Sequence, residues 1–194
     1  MTIRVSSSLL HWNYFLALED NLFETSRYVD FSKRNFKTHS IEFAQLLLAS
    51  SSEVDVIAKG ICRYLDPELK PGNIDDYRAI IRTHIPRIHR EQVFVPRFGL
   101  KFRPWLNWGK EENPSWWKSH NKVKHQRTAY FRDANLQNTL NSMGGLIIFI
   151  FHYYRLDMDL KDDIYNARDV TRTFKPKSRM LKLRDEYYYS NLIV

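Results

Sequence analysis

One cysteine, 6 glycines and 7 prolines in 194 residues leave little from which to build a stapled or loop-rich protein. Cys62 has no internal partner, which excludes a disulfide scaffold. Its place in an apolar helical pattern reads as core in a reducing, cytoplasmic setting. Scarce Gly and Pro beside 43% hydrophobic and 14% aromatic residues exclude a disordered chain and indicate one compact domain over residues 1–194. Long apolar runs are missing too. Residues 146–151, extended by His152-Tyr153-Tyr154, fall far short of the roughly 20 residues that span a bilayer, and the first residues carry no signal-peptide core. No membrane association is expected.

Several enzyme signatures are absent: HExxH, paired CxxC, a Gly-rich loop before a helix, and a serine elbow. Zinc hydrolase, nucleotide kinase and esterase readings therefore fall away. His84 and His89 lie among prolines and arginines and read as solvated loop histidines, so no metal and no other cofactor is expected.

Positive charge is present in excess. A net charge of +8 favours a polyanionic partner, because clustered Lys and Arg gain affinity by releasing counterions from phosphates. The cations gather in residues 78–103, 118–132 and 172–184, while the first thirty residues are nearly balanced.

Apolar periodicity predicts an all-α chain. A first helix covers about residues 8–29, with the serine run before it able to cap. A second starts near Thr38 or Ser40 and ends at Leu65, before Asp66-Pro67. Asn73 caps a third, over residues 74–84. Residues 85–113 form an irregular insert with room for a short hairpin, although Pro96 and Pro104 argue against a central strand. The last long helix spans about residues 133–156. Its second half is apolar nearly all round, which buries it in the bundle or against a second subunit, with Gly144-Gly145 allowing a close approach. The helical core is thus residues 8–156, followed by a charged C-terminal extension, residues 157–194.

The densest chemistry lies in Trp116-Trp117-Lys118-Ser119-His120-Asn121-Lys122-Val123-Lys124-His125-Gln126-Arg127. Pro114 suits the first position of a helix and Asn113 the cap. Lys118, Asn121, Lys122 and His125 then share one face, setting an imidazole that exchanges a proton near neutral pH beside an amide and ammonium groups suited to phosphate. A solvated basic face is the plainer reading of the same spacing.

The order of landmarks resembles the HEPN superfamily of all-helical domains. The residues carrying the resemblance are Tyr14-Phe15-Leu16-Ala17-Leu18-Glu19, Thr25-Ser26-Arg27-Tyr28-Val29, the helix holding Ser52-Glu53-Val54-Asp55, and Pro104-Trp105-Leu106-Asn107-Trp108. The strongest piece is Trp116-Trp117 with His120-Asn121-Lys122-Val123-Lys124-His125 and Ala134-Asn135-Leu136. The resemblance implies a bundle of four to five helices with an irregular insert before the motif helix. It also implies a homodimer, and metal-independent RNA cleavage in bacterial defence or toxin–antitoxin systems, with an antitoxin or defence-system protein as a further partner. Nuclease members carry an Arg, often followed by Asn, four to six residues before a His. Here Asn121 and His125 match. His120 and Lys118 stand at the two Arg spacings, and Lys118 shares the face of His125 while His120 points about 140° away. Arg127 replaces the Tyr that a partner nucleotidyltransferase modifies in some members.

As the resemblance implies, His125 would be the general base or acid in attack of a 2′-OH on its own phosphate. Lys118, Lys122 or Lys124 would stabilise the phosphorane, Asn121 would orient it, and His120 is a further candidate. Arg127, Trp116 and Trp117 are candidate RNA contacts, the two tryptophans alternatively core anchors. Glu53 lies on an apolar row that demands a buried partner, expected on the motif helix, and a structural ion pair serves as well as a catalytic role. Asp55 suits an ion pair with Lys59 one turn on. Two rivals stay open: a non-catalytic module binding RNA, a nucleotide or a protein through the basic face, and a purely structural dimerisation protein.

Overall fold

The computed structural model describes residues 9–159 and 166–188. These residues are predominantly helical, with α1 Leu10–Thr25, α2 Ile41–Leu65, α3 Ile74–His84, α4 Ser115–His125, α5 Arg127–Tyr130, α6 Leu136–Asp159 and α7 Ala167–Thr173. One antiparallel hairpin, β1 Val93–Val95 and β2 Leu100–Phe102, interrupts the helices. Pro96 stands just beyond β1, where no ladder hydrogen bond is lost, and Gly99 turns the chain at φ 61°, a left-handed backbone that glycine adopts without penalty.

Local chemistry sets several boundaries. Ser40 accepts from the Phe43 amide at the start of α2, and Asn73 accepts from Asp75 and Asp76 at the start of α3, as expected of these residues. α4 departs from expectation by one residue. Pro114 occupies its cap position, and the Asn113 side chain instead accepts from Arg78 Nη1 at 2.8 Å and donates to Asp75, tying α4 to α3. The serine run expected to cap α1 lies outside the described residues.

α2 and α6 form the central pair. Contacts of Thr139 with Phe43, Ser142 with Ser50 and Asp157 with Tyr64 advance together, so the two helices run parallel. A parallel pair needs a long crossover, which α3, the hairpin and α4 supply. From Thr139 through Phe151 every residue of α6 is buried except Asn141. Its Gly144-Gly145 pair serves contacts within the chain: a Cβ on Gly144 would lie 2.5 Å from Phe102 Cε2 and 3.0 Å from Pro104 Cγ, and one on Gly145 3.0 Å from Trp116. Gly144→Val should therefore lower unfolding free energy by about 2–3 kcal/mol. Gly72→Ala, with nothing within 4 Å, should stay within about 0.5 kcal/mol. Urea titrations compare the two; equal stabilities would contradict the close approach.

Described residues after α6 belong to this core. Phe174, Met180, Leu181 and Leu183 are buried at 3% exposure or less, and Lys182 exchanges backbone hydrogen bonds with Phe94 at 2.8 and 2.9 Å. Glu19 of α1, 1% exposed, accepts from the amides of Arg179, Met180 and Leu181 and from the Ser178 hydroxyl. No helix among the described residues is long and apolar enough to cross a membrane.

A candidate cleft between α2, α3 and α4

Aromatic packing fixes which way α4 faces. Trp105 stacks on Phe149 of α6 at 4.2 Å and meets Trp116 edge-on at 5.1 Å, while Trp116 Nε1 donates to the Pro104 carbonyl at 2.9 Å. Trp116, Trp117, His120 and Val123 form the buried face of α4. The opposite face, with Lys118, Asn121, Lys122 and His125, is exposed. Both tryptophans are buried in the core, Trp116 at 1% and Trp117 at 7% exposure.

His125 ends α4 and has no hydrogen bond or ion pair among the described residues. Lys122 leans over the Tyr130 ring at 5.1 Å, and Lys118 and Arg127 point to solvent. The expected His125–Lys118 face thus exists as a shared face, but among the described residues no cation is in hydrogen-bond contact with the imidazole.

The opposite edge of the helix does line a cleft. A cavity of about 540 Å³ is walled by Ser51, Ser52, Asp55 and Lys59 of α2, by Gly72, Asn73 and Ile74, and by Trp117, His120, Asn121 and Lys124 of α4. Asp55 is held from two sides. Lys59 Nζ donates to one carboxylate oxygen at 2.6 Å and the Tyr77 hydroxyl to the other at 2.9 Å. The Asp55–Lys59 pair is the one expected from their spacing. Glu53 is a correction: its partner is His11 of α1, with Nδ1 and Oε1 2.6 Å apart, because α4 packs on the other side of α2 from this carboxylate. Glu53 therefore ties α1 to α2 and takes no part in the cleft.

Two polar atoms beside the cleft have no hydrogen-bond partner among the described residues, His120 Nδ1 and Ser51 Oγ. His120 is 6% exposed and Ser51 is fully buried. Burial lowers the His120 pKa to about 4, helped by the charges of Lys124 and His125 and opposed by Asp55. The imidazole is consequently neutral at pH 7. His152, buried in α6, is lowered to about 3 by burial and by Arg155.

Both histidines depress their folded-state pKa below the unfolded value near 6.5, so the unfolded chain binds more protons as pH falls. Stability is full above about pH 6.5 and declines toward pH 4 for His120 and pH 3 for His152. Each should remove about 2 kcal/mol between pH 7 and pH 5. Urea titrations at the two pH values should show His120→Gln cutting the pH-dependent loss by about 2 kcal/mol. An unchanged loss would place the His120 pKa near its ordinary value.

Ser51, Ser52, Lys59, Gly72 and Asn73 were not among the sequence candidates for a site. Ser51 and Ser52 had a signal in the serine run at residues 50–52, inside an otherwise apolar helix stripe; Lys59, Gly72 and Asn73 had none. Among the described residues no cluster of His, Cys, Asp or Glu is arranged to hold a metal ion. Comparison with protein-family models, curated proteins and solved structures finds no match for this chain.

Proposed function

We propose that this chain is a metal-independent endoribonuclease of HEPN-like type, with its chemistry in the His120 cleft rather than at His125. The observation that carries the reading is the placing of a neutral imidazole, its Nδ1 without a hydrogen-bond partner among the described residues, beside the Lys124 ammonium and the Asp55–Lys59 ion pair in one cavity.

The chemistry is transesterification. His120, with its proton on Nδ1, takes the 2′-OH proton at Nε2, and the 2′-oxygen attacks the adjacent phosphorus. The bond from phosphorus to the 5′-oxygen breaks, leaving a 2′,3′-cyclic phosphate, and the departing oxygen takes a proton from the Lys124 ammonium. Lys124 and Lys59 offset the charge that develops on the phosphorane, and Asn121 at the rim orients it. The Asp55 carboxylate, in contact with Lys59 Nζ and the Tyr77 hydroxyl, holds the Lys59 ammonium at the cleft wall. In this reading the exposed face of α4 receives a second copy of the chain or an antitoxin or defence-system protein.

The second reading is a non-catalytic module that binds RNA, a nucleotide or a protein through the same basic face. It draws support from the low His120 pKa, since a base works best near the operating pH. Incubation with structured and single-stranded RNA in EDTA, with end-group analysis, separates the two. Cyclic-phosphate ends that disappear in His120→Ala establish the nuclease. Salt-sensitive RNA binding without cleavage establishes the module.

A further inference from the structure

Asp55, Lys59 and Arg63 follow one another at four-residue steps on α2, hence on one face and about 6 Å apart along the axis. Lys59 lines the His120 cleft and also a second cleft of about 590 Å³, whose other walls are Arg63, Pro67, Leu69, Lys70 and Pro71. Arg63 and Lys70 are exposed and have no ion pair or hydrogen bond among the described residues. Leu69, 47% exposed, and the two prolines give the same cleft an apolar wall. Cations therefore recur along the two clefts at Lys124, Lys59, Arg63 and Lys70, with Asp55 paired to Lys59 and a neutral His120 in the first cleft.

We infer that the second cleft is a phosphate subsite for neighbouring nucleotides, so that the ligand is a single-stranded oligoribonucleotide crossing both clefts rather than a mononucleotide. This deepens the phosphodiester reading of the His120 cleft and rests on it. A cationic groove with apolar contacts beside it is how single strands are held along their backbone, and the spacing of Lys59 and Arg63 is comparable to that of successive phosphates on an extended strand. The arrangement also assigns Lys59 a double duty: it bridges the reacting phosphate and the next one along the strand.

The test compares wild type with the double variant Arg63→Ala/Lys70→Ala. Binding of a fluorescein-labelled single-stranded RNA dodecamer is followed by anisotropy over a salt series in EDTA. Binding of a nucleoside 3′-monophosphate is followed by the NMR shift of the His120 ring. The double variant should bind the dodecamer about tenfold more weakly, with the slope of log affinity against log salt reduced by about 1.4, about 0.7 for each lost phosphate contact. Its response to the mononucleotide should equal that of wild type. Wild-type dodecamer affinity and slope in the double variant would overturn the subsite while leaving the His120 reading intact. A wild-type protein whose His120 ring ignores the mononucleotide, whatever the dodecamer does, would remove the reading on which the subsite rests and the subsite with it.

Discussion

His120→Ala should lower RNA cleavage by about 10²–10⁴-fold in kcat/KM, the range expected for loss of a general base, while His125→Ala should remain within about threefold. The contrast follows from where the two rings lie. His120 is on the cleft-facing side of α4, its Nδ1 without a hydrogen-bond partner among the described residues, whereas His125 stands in solvent at the helix end. Lys124→Ala should fall between them, since it removes a cation from the cleft wall but leaves Lys59 in place. The pH profile distinguishes catalysis from mere positioning. With its pKa near 4, His120 is already unprotonated at neutrality, so the acid limb of kcat/KM should lie well below pH 6. An anionic ligand in the cleft would raise that pKa and move the limb of kcat upward. Loss of cleavage in His125→Ala with activity retained in His120→Ala would return the site to the exposed face of α4 and to a dimer that pairs two His125 rings.

The largest stability effect is expected at Glu19. Its buried carboxylate receives three backbone amides and the Ser178 hydroxyl, pinning residues 178–181 onto α1. Glu19→Ala would leave the three amides inside the protein without an acceptor, which should cost about 3–5 kcal/mol. Glu19→Gln keeps one acceptor oxygen and should lose about half as much. Urea unfolding measures the total, and hydrogen exchange should show protection lost first at Arg179, Met180 and Leu181. A loss below about 1 kcal/mol in Glu19→Ala would mean that this segment contributes little to the folded state.

Much of this helical framework could be read from residues close in sequence. Ser40 and Asn73 are caps whose side chains reach amides two or three positions on, and Asp66-Pro67 ends α2, so those boundaries are local chemistry. The apolar second half of α6 announced its burial, though not that Phe102, Pro104, Trp105 and Trp116 from the same chain would cover Gly144 and Gly145. Contacts across long separations stayed hidden. Nothing near Glu53 points to His11, and nothing near Glu19 points to residues 178–181, because both partners are chosen by how helices cross rather than by spacing.

The candidate site illustrates the same division. Grouping Lys118, Asn121, Lys122 and His125 on one face was correct as geometry. Which face turns inward depends on the apolar stripe, and Trp116, His120 and Val123 mark it at helical spacing. His120 sits within that stripe, so the pattern already distinguished the enclosed imidazole from the solvated one. What no pattern within α4 contained was the far wall, where Ser51, Asp55 and Lys59 arrive from a helix some sixty residues earlier.

The most direct test of the His120 cleft is an NMR titration of the histidine ring nitrogens, free and with a nucleoside 3′-phosphate added in EDTA. The account predicts that His120 stays neutral to about pH 4 in the free protein and that the nucleotide shifts its resonances and raises its pKa, with His125 nearly unaffected. A His120 that titrates near its ordinary value and ignores the nucleotide, while His125 responds, would contradict it.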